Sequence, residues 1–256
     1  MRTALVVVCF TIFTAVTASQ EPAPRLNDGP IAERTQFKWH VKVQPVGLNV
    51  FFGGFLIDPL WVVTCAACAN KASDYNLGLG YFNLSDPSEA GRIDVMSANI
   101  SLHPDFVPNK FNENNIALIQ LATPITTSPY VDLLRLPAAG TNDTFLDWLS
   151  RTSGFGSGPE GTSQVMRYAD LMVVEDSLCP GLVNPGQMCA SPVAAFGPCE
   201  DEGTALTYVE SDGLPTAIGV FSYGFADGPC PGPTSFFTRV TTYLDWITSV
   251  TGVTRG

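Results

Sequence analysis

Histidine is nearly missing from this chain: only His40 and His103 occur in 256 residues. Neither stands near a cysteine, so the spacing offers no zinc site, and each is expected to be an ordinary core or surface residue. Basic residues are also scarce, 13 Lys and Arg against 24 Asp and Glu, for a net charge of −11. That balance argues against nucleic acid or an anionic membrane as a partner. It reads first as a surface that keeps the chain in solution. No apolar run beyond the first residues reaches the roughly 20 needed for a membrane helix. Long heptads, low-complexity tracts and internal repeats are absent as well. Nothing in the composition calls for a metal or another cofactor.

What is present begins with a leader. Arg2 precedes the apolar run Ala4 to Val16, which is too short to span a bilayer, and Val16-Thr17-Ala18 supplies the small residues a signal peptidase accepts. Residues 1–18 are therefore expected to be a signal peptide, and the protein to be secreted into an extracellular space. Loss of residues 1–25 would remove Arg2, Glu21 and Arg25 and make the net charge more negative by one unit. The roughly 230 residues that remain can form a single all-β domain or two small barrels. Of seven cysteines, Cys9 falls in the leader. The other six, Cys65, Cys68, Cys179, Cys189, Cys199 and Cys230, are an even set that reads as three disulfides in an oxidising compartment. Asn83, Asn99 and Asn142 each open an N-x-S/T sequon open to glycosylation there.

Short strand-like runs follow one another along the chain: Trp39–Val43, Leu48–Leu56, Trp61–Thr64, Ile116–Leu121, Ala217–Ser222 and Ser235–Val240. Turn signals separate them, among them Gly53-Gly54 and the Gly-Pro steps near 228–233. That spacing suits a barrel or a sandwich. Tyr243 to Ile247 has apolar residues three apart and predicts one amphipathic terminal helix. The natural join between two halves is Ala138–Gly140.

Several segments in order resemble the chymotrypsin/trypsin family of serine proteases, most of all its arthropod digestive and collagenase-like members. Trp61-Val62-Val63-Thr64-Cys65-Ala66-Ala67-Cys68 is similar to the family's W-V-L-T-A-A-H-C, and Asn115-Ile116-Ala117-Leu118 to D-I-A-L. Cys199-Glu200-Asp201-Glu202-Gly203-Thr204-Ala205-Leu206 resembles an altered C-x-G-D-S-G-G-P-L. Ser153–Gly156 stands for S-G-W-G, Ser222-Tyr223-Gly224 for S-W-G, and Phe237–Ile247 for the usual C-terminal run. The resemblance covers about Leu26 to Ile247. It implies an all-β fold of two six-stranded antiparallel barrels with a short C-terminal helix. Residues 26–138 would form the first barrel, and 139–256 the second with the helix. Residues 19–25 would be a short propeptide-like segment, too short for a clip-like domain.

The family's chemistry needs a hydroxyl nucleophile, an imidazole to take its proton and a carboxylate to hold the imidazole. The resemblance puts Ala67 at the imidazole position, Asn115 at the carboxylate position and Glu202 at the nucleophile position. The segment between Cys199 and Asp201 is one residue short, so Glu200 stands where the family has an oxyanion-hole glycine. The carboxylates Glu200, Asp201 and Glu202 would repel a developing oxyanion. The chain is therefore expected to be an inactive homologue that acts by protein binding. Protease inhibitors or proteases are the expected partners, with a decoy or a regulator of proteolysis as the role. Two other readings stand beside it. One is a residual endopeptidase with its nucleophile elsewhere (Ser153, Ser157 and Ser222 are nominal candidates), and the other is an inert secreted or storage protein.

Other features follow from the same resemblance. Arg25-Leu26 stands at the activation junction, and Asp201 at the carboxylate that receives the new N-terminal ammonium; the alternative is a junction never cut. Gly197, Gly224 and Ser235 would line an uncharged former specificity pocket. Cys179 would pair with Cys189, and Cys199 with Cys230. The family's partner for Cys68 is replaced by Phe52, which leaves Cys65 as the remaining cysteine. Residues three apart on a helical turn are near enough for a Cys65–Cys68 bridge, while a redox C-x-x-C is the rival reading of that spacing.

Overall fold

The computed structural model describes residues 26, 29–108, 113–158, 161–179, 184–194, 196–224 and 234–255. Two closed antiparallel barrels make up the molecule. The first contains β1 (His40–Pro45), β2 (Phe52–Asp58), β3 (Trp61–Thr64), β4 (Tyr75–Leu79), β5 (Ile93–Leu102) and β6 (Ala117–Leu121), hydrogen-bonded in the order β1-β2-β3-β6-β5-β4. A connection from Ala122 to Trp148 leads to β7 (Leu149–Gly154). A two-stranded ribbon follows, β8 (Ser157–Gly158) with β9 (Gly161–Thr162). The second barrel then adds β10 (Arg167–Val174), β11 (Gln187–Pro192), β12 (Ala205–Val209), β13 (Pro215–Tyr223) and β14 (Ser235–Arg239) to β7. Its order is β7-β10-β11-β14-β13-β12, the same path as the first. The topology is duplicated although the sequence shows no repeat, because a barrel asks only for alternating burial and turns, not for particular side chains.

Alternation is plain in β10, where Ala169, Leu171 and Val173 face inward and their neighbours are partly exposed. The strands β3 and β13 are buried along nearly their whole length instead. They press one face on a barrel interior and the other on the seam between barrels. Val41, Val43, Leu56, Leu77 and Ile119 fill the first interior, and Leu171, Met188, Leu206, Ile218 and Phe237 fill the second. The seam has its own cluster, built on Trp39, Phe55, Leu118, Phe155, Val220 and Tyr243.

Most expected strands lie within a residue or two of their predicted ends. The exception is Leu48–Leu56, where only residues from Phe52 onward join a sheet. Val46, Leu48 and Val50 are exposed on the loop before it, so no barrel face holds that part in strand register. The terminal helix is α2 (Leu244–Thr251), entered through a 3-10 turn at Val240–Tyr243 and closed by Gly252 in the left-handed conformation.

Candidate functional site

The sequence-predicted triplet Ala67, Asn115 and Glu202 lies along the seam. Ala67 sits in a one-turn helix, α1 (Ala66–Ala69), directly after β3. Cys65 caps that turn: its sulfur accepts from the Cys68 amide at 3.0 Å and is also bridged to the Cys68 sulfur. The Tyr75 hydroxyl closes the other end by donating to the Cys68 carbonyl and accepting from the Lys71 and Ala72 amides. The backbone at Ala67 is thus fixed from both sides.

Asn115 reaches it from the turn before β6, where Asn114 takes a left-handed φ of 52°. Its side chain is fully buried. Oδ1 accepts from the Ala67 amide at 2.8 Å, Nδ2 donates to the Ser222 hydroxyl at 2.8 Å, and its carbonyl accepts from the Thr238 hydroxyl at 3.0 Å. One residue therefore ties α1 of the first barrel to β13 and β14 of the second. A neutral amide suits the place, since a buried carboxylate with no cation beside it would be costly.

Glu202 comes from the loop before β12. Its carbonyl accepts from the Gly53 amide of β2 at 2.8 Å. The following Gly203 has φ 92°, and a Cβ there would stand 2.2 Å from the Gly53 carbonyl oxygen. Only glycine allows that approach. The Glu202 carboxyl is pushed up from its ordinary range chiefly by burial; its own backbone amide and Lys71 work against the shift and Glu200 adds to it. Glu200 holds a left-handed φ of 56° and points to solvent, a conformation that favours glycine.

Asp201 is buried behind this loop, its carboxylate accepting from the Gly156 amide at 2.7 Å and the Cys199 amide at 3.2 Å. Burial is the largest influence on it and raises its pKa to about 7, against the pull of those amides. Gly154 makes room, because a Cβ there would lie 2.0 Å from the Asp201 oxygen. No ion pair reaches Asp201 among the described residues. Leu26 is buried, with its carbonyl accepting from the Gly29 amide. Arg25 falls outside the described residues.

Both histidines are engaged elsewhere. His40 is buried edge-on against Phe155 at 5.7 Å, and burial lowers its pKa to about 4. His103 packs on Tyr243 and Trp246, each at 5.0 Å. Chemically, Ala67 offers a methyl group and Asn115 an amide, neither of which takes a proton near neutral pH. Glu202 is the one proton acceptor of the three. Of the hydroxyls weighed as nucleophiles, Ser153 and Ser222 are buried, Ser222 being held by Asn115, and the side chain of Ser157 falls outside the described set.

Of the residues expected to line a former specificity pocket, Gly197 and Ser235 are buried and Gly224 is partly so. The Tyr223 ring stacks on Phe236 at 4.7 Å. Residues 225–233 lie outside the described set. The Cys65–Cys68 and Cys179–Cys189 bridges are formed. Cys199 is disulfide-bonded, while its expected partner Cys230 is not described. Cys65 and Cys68 are shielded from solvent, unlike an exchanging thiol pair, which needs access. The one grouping of metal-ligand side chains among the described residues joins Asp176 to Cys179 and Cys189, whose sulfurs are already bridged. Of the sequons, Asn99 on β5 and Asn142 between the barrels are exposed. Asn83 is partly buried in a turn where Oδ1 accepts from the Ser85 amide.

The dual anchoring of Asn115 had no sequence signal, since Ser222 lies 107 residues away. The left-handed Glu200 could have been suspected from the glycine that the resemblance puts at its position.

The family profile described as Trypsin matches residues 27–247. The chain is 32% identical over 212 residues to Brachyurin from Leptuca pugilator, covering 80% of this chain and 89% of that protein. It is 31% identical over 239 residues to Serine protease 56 from Mus musculus, covering 87% of this chain but only 38% of that longer protein.

Proposed function

This chain belongs to the trypsin family, and from that premise we propose that it is a secreted, catalytically inactive member that works by binding other proteins. Ala67, Asn115 and Glu202 occupy the positions where that family carries its imidazole, carboxylate and nucleophile. The observation that carries the reading is the bonding of Asn115: its oxygen is taken by the Ala67 amide and its nitrogen by Ser222. The frame for an imidazole is kept while the imidazole is gone, and a methyl group cannot relay a proton. A barrel pair that keeps the fold without the chemistry suits a decoy for protease inhibitors or a regulator of proteolysis.

Cleavage after Arg25 belongs to the same proposal. It would free an ammonium at Leu26 for Asp201, a buried carboxylate with no cation beside it among the described residues, and would order the surrounding loops without catalysis. The deciding experiment is fluorophosphonate labelling and peptide-substrate turnover, before and after cleavage at Arg25. No labelling and no turnover, together with capture of a serpin or Kunitz-type inhibitor, is the expected result. Labelling abolished by mutating one particular serine would overturn it and leave a residual hydrolase.

A further inference from the structure

A groove of about 760 Å³ runs along the side of the molecule where the first barrel's entry segment meets β7 and β12. None of Ala67, Asn115 or Glu202 lines it, so its use is independent of the site described above and stands whatever becomes of the inactivity reading.

Three observations define what fits there. First, the sheet opens. β7 and β12 pair at Leu206↔Thr152 and Thr207↔Arg151, and the pairing stops there. Continued in register, it would set Tyr208 opposite Ser150 and Val209 opposite Leu149; these four residues instead line the two walls of the groove. Beyond Thr207, β12 pairs among the described residues with β13 alone, which leaves a strand edge facing the groove.

Second, the rim is apolar and exposed. Leu149 is 57% exposed, Val209 64% and Leu214 52%, three large side chains around one depression. Below them Tyr208 is held against Trp148 at 4.5 Å, so one wall is already ordered.

Third, every cation along the groove is already ion-paired, Arg135 through its terminal nitrogens while its buried Nε has no hydrogen-bond partner. Lys38 donates to Asp132 at 2.8 Å, Arg151 forks onto Asp170 at 2.6 and 3.0 Å, and Arg135 forks onto Asp212 at 2.6 and 3.1 Å. Arg135 also donates to the Leu214 carbonyl, and Arg151 lies over the Tyr168 ring at 4.4 Å. These pairs are partly open to solvent, so a charged ligand that displaced one partner would gain little. The groove therefore complements an uncharged occupant in an otherwise strongly acidic protein.

We propose that this groove binds an extended, uncharged segment of a partner protein, which adds along the β12 edge at Tyr208–Val209 and sets alternate apolar side chains between Leu149 and Leu214. An open strand edge gives affinity through main-chain hydrogen bonds, and the apolar rim selects every second side chain.

The test uses the full chain and fluorescence anisotropy with labelled Thr-Val-Ser-Val-Thr-Leu-Ser-amide. Two companion probes carry Asp or Lys at the Thr and Ser positions, and a third is N-methylated at its Val amides. Saturable binding of the neutral probe is expected, with at least tenfold weaker binding of the other three. Val209→Asp and Leu149→Asp, both at exposed positions, should each weaken the neutral probe at least tenfold while leaving the thermal unfolding curve in place. No binding up to millimolar probe, equal binding by the N-methylated probe, or equal binding by both variants would overturn the proposal. Sedimentation run alongside covers the other occupant: a dimer that Val209→Asp dissolves would put a second copy of the chain in the groove instead.

Discussion

Asn115 Nδ2 donates to the Ser222 hydroxyl at 2.8 Å across the seam between the barrels. With its oxygen on the Ala67 amide, this side chain uses both ends of its amide, and it does so where no water reaches it. Substitution by aspartate keeps the shape but turns the donor into a charged acceptor. Asn115→Asp is expected to destabilise the protein by about 2–4 kcal/mol at pH 7, as an unpaired buried carboxylate does. It should produce no hydrolysis of peptide substrates. Urea unfolding and a turnover assay on the same preparation check both parts.

Asp201 and His40 set opposing pH dependences. The Asp201 pKa is raised to about 7 in the folded chain, against about 3.9 unfolded. Its contribution is therefore full below pH 4 and is lost as pH rises through 7. His40 is lowered to about 4 by burial, so its contribution is present above pH 6.5 and is lost as pH falls toward 4. Asp201→Asn should flatten the decline on the neutral side, gaining on the wild type by up to about 4 kcal/mol between pH 4 and pH 8. His40→Gln should flatten the acid side. A parallel pair of pH-stability curves for wild type and Asp201→Asn would refute the assignment.

Glu200 is an exposed side chain on a left-handed backbone. Relief of that strain makes Glu200→Gly stabilising by about 1 kcal/mol. Glu200→Ala, which removes the carboxylate but keeps the Cβ, should give none of the gain. Thermal unfolding of the two variants side by side separates backbone from charge.

Glu89 gathers the loop between β4 and β5. Its carboxylate, almost closed to solvent, accepts from the Phe82 and Asn83 amides and pairs with Arg34 at 3.0 Å and Arg92 at 3.2 Å. Those guanidiniums in turn donate to the carbonyls of Gly80 and Asn83. Glu89→Ala leaves two cations facing each other across a half-buried turn and should cost about 3–5 kcal/mol. Hydrogen exchange should quicken first in residues 80–92, ahead of the barrel strands.

The barrels were legible in the chain because strand runs and the Trp61–Cys68 and Phe237–Ile247 segments carry their information locally, whereas Gly53-Gly54, expected as a break, lies within β2. The Cys65–Cys68 bridge could be anticipated for the same reason: its partners are three residues apart. What escaped was whatever depends on two distant segments meeting. The Arg34–Glu89–Arg92 cluster spans more than fifty residues, and the opening between β7 and β12 is a property of strand divergence that no residue pattern announces. The loop at Val46–Val50 misled for a related reason. Apolar residues there look like strand, yet no facing sheet covers them.

The two barrels are stitched very differently. In the first, the one covalent link among the described residues closes a turn of three residues, and so small a loop removes little freedom from an unfolded chain. The second holds Cys179–Cys189, and its Cys199 is disulfide-bonded as well. An oxidant is therefore a luxury for one half of the molecule and a tether for the other. Reduction is expected to leave the N-terminal barrel close to its folded stability and to loosen the C-terminal one.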